Sequence, residues 1–279
     1  MKLIGRKIRN LRKSKALTQE ELAEKLSVSS QAVSKWETGS SSPDISMIPI
    51  IARFFNISID ELFNYRLDSL THKERFIRFM SDNGVLKFGE FKLRIGRTSP
   101  YFITTERFSS GGQLSKIGEF YADCIRDNNI TTDLLISHTH KESHITTAVG
   151  MVMYQKHGVD INYCLDNKVG KQSTPNDKIT VIKDTLISGD TLRWILENTR
   201  ENTGKYPSSV ILSVDRLERG PKGDLCSSRE IEKEFGLKVY SIVTVDDIIN
   251  AIENHIIPGH EYLDAIKDYR KKYGGNTNE

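Results

Sequence analysis

The spacing of apolar positions along the chain changes character near residue 113. Ile4, Ile8 and Leu11 fall at i, i+4 and i+7, one face of a helix. Thr18, followed three residues later by Glu21, forms a capping box that opens a second helix through Leu26. Ser29 or Ser30 caps a third, with Val33 and Trp36 on one face and Gly39 ending it. Ile45, Ile48, Ala52 and Phe55 keep helical spacing in a fourth, which Pro49 requires to start near Ser46; "SIDELF" gives a short fifth. A polar stretch then runs into a helix holding Phe76, Ile77 and Phe79. Alternation at Phe91, Leu93 and Ile95, with Gly-Arg before Ser-Pro, predicts two short strands joined by turns.

Beyond Gln113, helices and short apolar strands alternate. The pattern predicts helices over 113–127, 144–156, 190–201, 231–235 and 246–254. Strands are predicted over 133–137, 161–165, 179–182, 209–214 and 239–243. Such strands, separated by helices, build a parallel sheet covered on both faces, with ligands at the strands' carboxyl ends. The fold expected is an all-α five-helix head plus an α/β domain with a mainly parallel sheet and a small hood. The boundaries are 1–66 for the head, 67–75 for a linker, 76–272 for the large domain and 273–279 for a polar tail.

Charge sharpens this division. The whole chain carries net +3, yet residues 1–67 hold 11 Lys and Arg against 7 Asp and Glu, and the first 15 residues hold seven basic side chains and no acid. A basic head on a near-neutral body suits nucleic-acid binding; the bland alternative is a solvated basic helix face. No apolar run reaches membrane-spanning length, and the basic start is not followed by the apolar stretch of a secretion signal. Cys124, Cys164 and Cys226 are far apart, which fits buried thiols in a reducing cytoplasm better than disulfides.

The head closely resembles the lambda-repressor-like (XRE-type) helix-turn-helix family over residues 1 to about 65. The likeness is carried by "TQEELAEKLSVSSQAVSKWETG" and the Pro-Asp that follows. The resemblance implies that the third helix enters the major groove of double-stranded DNA. Ser30, Gln31, Ser34 and Lys35 would then face base edges, with Gln19 and Ser29 at backbone phosphates. Gln31 and Lys35 as merely exposed residues, or the head as a protein-binding module, are the competing readings.

One stretch of the large domain, "ITVIKDTLISGDTLRW" (179–194), sets a strand before a small-residue loop and a helix N-terminus, a good place for phosphate. The domain resembles orotate phosphoribosyltransferase over about 75–270. "VLKFGEFKL", "GRTSPYF", "GEFYAD", "INYCL" and above all "SVDRLERG" (213–220) carry the likeness. That family joins orotate to 5-phosphoribosyl pyrophosphate (PRPP) with magnesium, and its members dimerise through this domain.

Four features implied by the resemblance are altered. The acid pair before the phosphate loop reads Lys183-Asp184, and the family's Thr-Ala-Gly-Thr reads Ile187-Ser188-Gly189-Asp190, with Thr191 one place late. The Gly-Pro-Ala-Tyr-Lys-Gly run reads Ser137-His138-Thr139-His140-Lys141-Glu142, keeping Lys141 but neither glycine. The catalytic loop keeps Lys168 and Lys171, with Asn167 for an arginine and Ser173 for a histidine. Arg94 replaces a lysine. The base side is better kept in Tyr101-Phe102 and Arg216, an arginine fork suited to a carboxylate. The alternative for "DRLERG" is a folding or dimer contact. His138, His140 and His144 superficially resemble a metal set, and "VGKQST" is not a Walker loop.

The expectation is a transcriptional regulator with no catalytic residues and no metal ligands. Its large domain dimerises and senses a small anion: a nucleotide, a phosphorylated sugar or a pyrimidine carboxylate. Arg94, Phe102, Lys141, Lys168, Lys171, Lys183, Asp184, Ser188, Gly189, Asp190, Thr191 and Arg216 line the ligand site, with magnesium only if the ligand is a diphosphate. The partners are a two-fold-symmetric DNA site and a second copy, with no membrane. The alternatives are an active phosphoribosyltransferase carrying its own DNA-binding domain, and a large domain that only dimerises the head.

Overall fold

The computed structural model describes the chain except residues 1, 16, 56, 58, 64–69, 94, 139, 166–173, 175, 278 and 279; for 2, 3, 60, 61, 106, 140 and 141 it describes backbone alone. Two compact units, Met1–Leu70 and Thr71–Glu279, make up the chain.

The first unit is built from α1 (Lys2–Ser14), α2 (Gln19–Lys25), α3 (Ser30–Thr38), α4 (Met47–Phe55) and α5 (Ile59–Leu62). Ile8, Leu22, Val33, Ile51 and Leu62 are fully buried in its core. Thr18 and Glu21 form the full capping box of α2. Ser29 caps α3, and Gly39 ends it in the left-handed conformation that glycine tolerates best. Ile45 departs from its expected place in the α4 stripe and is 86% exposed. Asp44 Oδ1 accepts from the Ser46 backbone N–H and hydroxyl, which holds Ile45 in a turn ahead of the helix and leaves Pro49 within its first turn.

The second unit opens with α6 (His72–Asp82), whose capping box joins Thr71 and Glu74. β1 (Leu86–Lys92) and β2 (Thr98–Ile103) form an antiparallel hairpin. Then come α7 (Gly111–Asp127), β3 (Leu134–Ser137), α8 (His140–His157), β4 (Asn162–Leu165), β5 (Ile179–Leu186) and α9 (Asp190–Thr203). They are followed by β6 (Ser209–Asp215), α10 (Ser227–Phe235), β7 (Lys238–Thr244), α11 (Val245–Glu253) and α12 (Leu263–Tyr273). The main sheet is parallel throughout, in the order β4-β3-β5-β6-β7. Its strands feed two cores in alternation. Val181, Val210 and Leu212 pack with Leu192, Leu196 and Ile231 of α9 and α10, while Ile182, Ile211 and Val214 pack with residues of α6, α7, α8 and α11. Burial on both faces explains why these strands read as apolar runs.

Three differences from the sequence pattern stand out, the first two of them at the site. β5 extends to Leu186, so Lys183 and Asp184 are strand residues, with Lys183 paired to Leu212. α8 begins at His140, drawing Lys141 and Glu142 into its first turn, where an acid complements the helix dipole. The residues read as a polar tail are hydrogen-bonded as far as Thr277: Asn276 C=O accepts from Cys226 N–H, Asn276 N–H donates to Asp224 C=O, and Thr277 C=O accepts from Arg229 Nε.

Helices α1 and α3 approach so closely that a Cβ on Gly5 would lie 1.9 Å from the Trp36 carbonyl oxygen. Gly5→Ala is therefore expected to destabilise the first unit by about 1–3 kcal/mol through overpacking. Urea unfolding followed by Trp36 fluorescence in a Trp194→Phe background checks this; an unchanged midpoint contradicts it.

Candidate nucleic-acid interface and ligand cleft

In the first unit, Gln31 and Lys35 are exposed on α3, and Ser30 and Ser34 are half-buried beside them. The Ser29 side chain accepts the Ala32 N–H and so works as the cap. What holds α3 in place is a buried charge pair that the sequence reading did not single out. Glu37, with its side chain 2% exposed, accepts from Arg12 Nε at 2.6 Å and Nη2 at 2.9 Å. Arg12 Nη1 also donates to Leu17 C=O, and Gln19 Nε2 donates to Glu37 Oε2 at 2.8 Å. Gln19, expected at a phosphate, is thus tied to the end of α3. Burial pushes the Glu37 carboxyl up, but the hydrogen bonds from Arg12 and Gln19 outweigh it and leave the group below its ordinary value.

In the second unit, the expected ligand residues on β5 and the loop after it lie in the carboxyl-terminal half of the parallel strand and beyond it. Lys183 Nζ sits 3.1 Å from Glu142 Oε1 and 3.3 Å from Asp184 Oδ1, with the Lys183 side chain 10% exposed. Lys183 therefore enters the cleft as half of a neutralised pair, in place of the free cation expected from the sequence. Its partner Glu142 stands where the family's run has its second glycine. Burial would pull the lysine down, yet the two carboxylates hold it above the usual lysine range; burial pushes the Glu142 carboxyl up despite the ammonium.

The loop after β5 is internally closed as well. Gly189 takes the left-handed conformation, and Ser188 Oγ donates to Asp190 Oδ2 at 2.7 Å. Arg193, absent from the expected site, donates to Ser188 C=O at 3.1 Å and pairs with Glu230 and Glu234. Thr191 is exposed on α9.

Arg216 is 3% exposed and fully engaged in a buried network. Nε donates to Glu218 Oε1 at 2.7 Å and Nη2 to Ser99 Oγ at 2.9 Å, with the guanidinium 4.1 Å from the Tyr101 ring centre. Glu218 also accepts from Arg97 and Tyr269. In this arrangement the arginine binds the hairpin and α12 to the end of β6, the folding role that "DRLERG" left open. Phe102 is half-buried and stacks on Phe91. Arg94, Lys168, Lys171 and the Lys141 side chain lie outside the described residues. His138 Nε2 lies 3.4 Å from Thr199 Oγ1 and its ring meets Trp194 edge-on. Among the described residues no group of three or more His, Cys, Asp or Glu could hold a metal ion. Nor, among them, is any helix long and apolar enough to cross a membrane.

A short-helix head with capped, closely packed second and third helices, joined to a doubly covered parallel sheet with a strand-loop-helix cleft, defines the class. It is a helix-turn-helix module fused to a phosphoribosyltransferase-type domain. A helix-turn-helix family model matches residues 8–62. The chain belongs to the orotate phosphoribosyltransferase family. It is 33% identical over 215 residues to the orotate phosphoribosyltransferase of Proteus mirabilis (strain HI4320), covering 74% of this chain and 99% of that one. It is 34% identical to that of Vibrio parahaemolyticus over 73% of this chain and 98% of the other. The crystal structure of orotate phosphoribosyltransferase from Francisella tularensis superposes with a TM-score of 0.64 at 30% identity, covering 72% of this chain and all of that one.

Glu37→Gln is expected to destabilise the head by about 3 kcal/mol, because it leaves the Arg12 charge without its carboxylate. Glu37 has a lowered folded-state pKa, so its contribution is fully present above the ordinary value of 4.5 and is lost as pH falls through the depressed value. Head stability measured from pH 7 to pH 3 should fall less steeply in Glu37→Gln than in the parent; equal slopes refute the assignment.

Proposed function

We propose that the protein is a sequence-specific DNA-binding transcriptional regulator whose phosphoribosyltransferase-like domain dimerises and senses a small anionic ligand. The observation that carries this reading is the buried Lys183–Glu142 pair on β5 and α8 in a chain that also bears a helix-turn-helix head. A phosphoribosyl transfer develops positive charge on the sugar, and preorganised negative charge is its main catalytic resource. Here one acid of the pair is a lysine, and Asp184 shares that ammonium with Glu142.

Gln31 and Lys35, exposed on α3, are the proposed base-reading residues, with Ser30 and Ser34 beside them and Ser29 at the phosphates. Met151 and Tyr154 on α8 and Tyr163 on β4 are 54%, 63% and 43% exposed and offer an apolar face to a second copy. A dimer would read a two-fold-symmetric site, one head per half-site. The proposed ligand-binding set is Arg94, Phe102, Lys141, Lys168, Lys171, Ser188, Gly189, Asp190 and Thr191, with Lys183 and Asp184 as a paired unit; Arg216 is left out of it because its guanidinium is committed to Glu218 and Ser99. The full-length match to orotate phosphoribosyltransferases favours a second reading, an active transferase with its own DNA-binding head.

Lys35→Ala and Gln31→Ala should each weaken the specific DNA complex roughly 5- to 150-fold and relax sequence preference. Unchanged binding to every sequence in a selection experiment refutes the recognition-helix assignment. The second reading gains only if the purified chain forms orotidine monophosphate from PRPP and orotate at about 1 per second or faster. Negligible turnover is expected. For the sensor, ligand and operator should alter each other's affinity by one common factor, about 5- to 150-fold. Absence of any such effect with nucleotides, PRPP or orotate leaves the domain a dimerising scaffold.

A further inference from the structure

The carboxylates of Glu142 and Asp184 come from different elements, α8 and β5, and converge on one point about 3 Å from each, the Lys183 ammonium. Glu142 is 2% exposed, and its second oxygen, Oε2, is buried with no hydrogen-bond partner. Two carboxylates facing one point, with spare acceptor capacity, are the donor set of a hard divalent cation, completed by water or phosphate oxygens. The family's reaction implies magnesium, but the residues present do not fit it here. A second cation would stand against a fixed ammonium in a poorly solvated pocket, where like charges repel strongly.

We propose that the Lys183 ammonium is a built-in cation, filling the position between Glu142 and Asp184 that a divalent metal would take, so that this cleft works without one. A tethered ammonium supplies one positive charge and three N–H donors without recruitment from solution. It turns the Asp-to-Lys and Gly-to-Glu departures into one compensated exchange: either charge is costly alone at this burial, and together they form a neutral pair beside Asp184. The ligand would then meet the same electrostatic site whatever the free magnesium level. Only this last statement rests on the anion-sensing reading.

The test is Mn2+ binding to the full chain, followed by the electron paramagnetic resonance signal of the free ion. At about 1 mM Mn2+, where open carboxylate sites fill, the parent should take up none at this position. Lys183→Ala should gain one site at least about tenfold tighter, and adding Asp184→Asn should remove it. Lys183→Gln, which keeps length without charge, serves if Lys183→Ala does not fold, and should show the same gain. Mn2+ in the parent that is lost on Asp184→Asn, or no gain in either Lys183 variant, overturns the proposal. Separately, inorganic pyrophosphate should raise the melting temperature of the parent equally in EDTA and in magnesium. A rise that requires magnesium also overturns it. No rise in either buffer counts against anion sensing, while the Mn2+ result still decides the built-in cation.

Discussion

A buried positive charge must be neutralised where it lies, and the second unit is arranged around two such charges. Lys183 lies in the middle of the parallel sheet, so its ammonium leaves water only because Glu142 and Asp184 receive it. Removing one ion from water costs several kcal/mol even after relaxation, and breaking such a pair costs about 3–5 kcal/mol. That requirement couples the first turn of α8 to β5. It also accounts for α8 beginning early, since Glu142 reaches the ammonium from within the helix.

Arg216 imposes the same condition at the end of β6. Its guanidinium spends its donors on Glu218 and Ser99 and lies against Tyr101. Glu218 in turn collects Arg97 and Tyr269. Gly220 follows because a Cβ there would lie 2.1 Å from the Glu230 carboxylate, which holds Arg193 against the phosphate-type loop. The loop after β5 is thus tied to α10 through Arg193, and the hairpin and α12 are tied to the end of β6 through Arg216 and Glu218. In the head, Arg12 and Glu37 play the equivalent part on a smaller scale, fixing α3 against α1 while leaving Gln31 and Lys35 free to face a partner.

The fold and its strand-loop-helix cleft are retained across nearly the whole length of enzyme relatives. The charges at the centre of the cleft are rearranged into a self-satisfied set. Asp184 and Glu142 already share the Lys183 ammonium, so less uncommitted negative charge is left to meet a developing cation.

The amino-acid pattern alone determined the head and the sheet. Capping boxes, Gly39, and apolar runs of strand length are local signals that each act within a few residues. Two further local signals lie in the sequence, the Thr71–Glu74 capping box and the Ile266 and Tyr269 spacing of α12. Periodicity placed Ile45 in a stripe, but the Asp44–Ser46 turn overrode it. The partners of the charged residues were decided only by tertiary structure. Lys183 and Glu142 are 41 positions apart, and Arg216 and Ser99 are 117. No spacing rule reaches that far, because which carboxylate meets which ammonium depends on how the sheet stacks its strands. From its sequence neighbours Lys183 is a cation entering a phosphate site; packed against α8 it is half of a buried pair, since at that depth an unpaired charge is the costlier state.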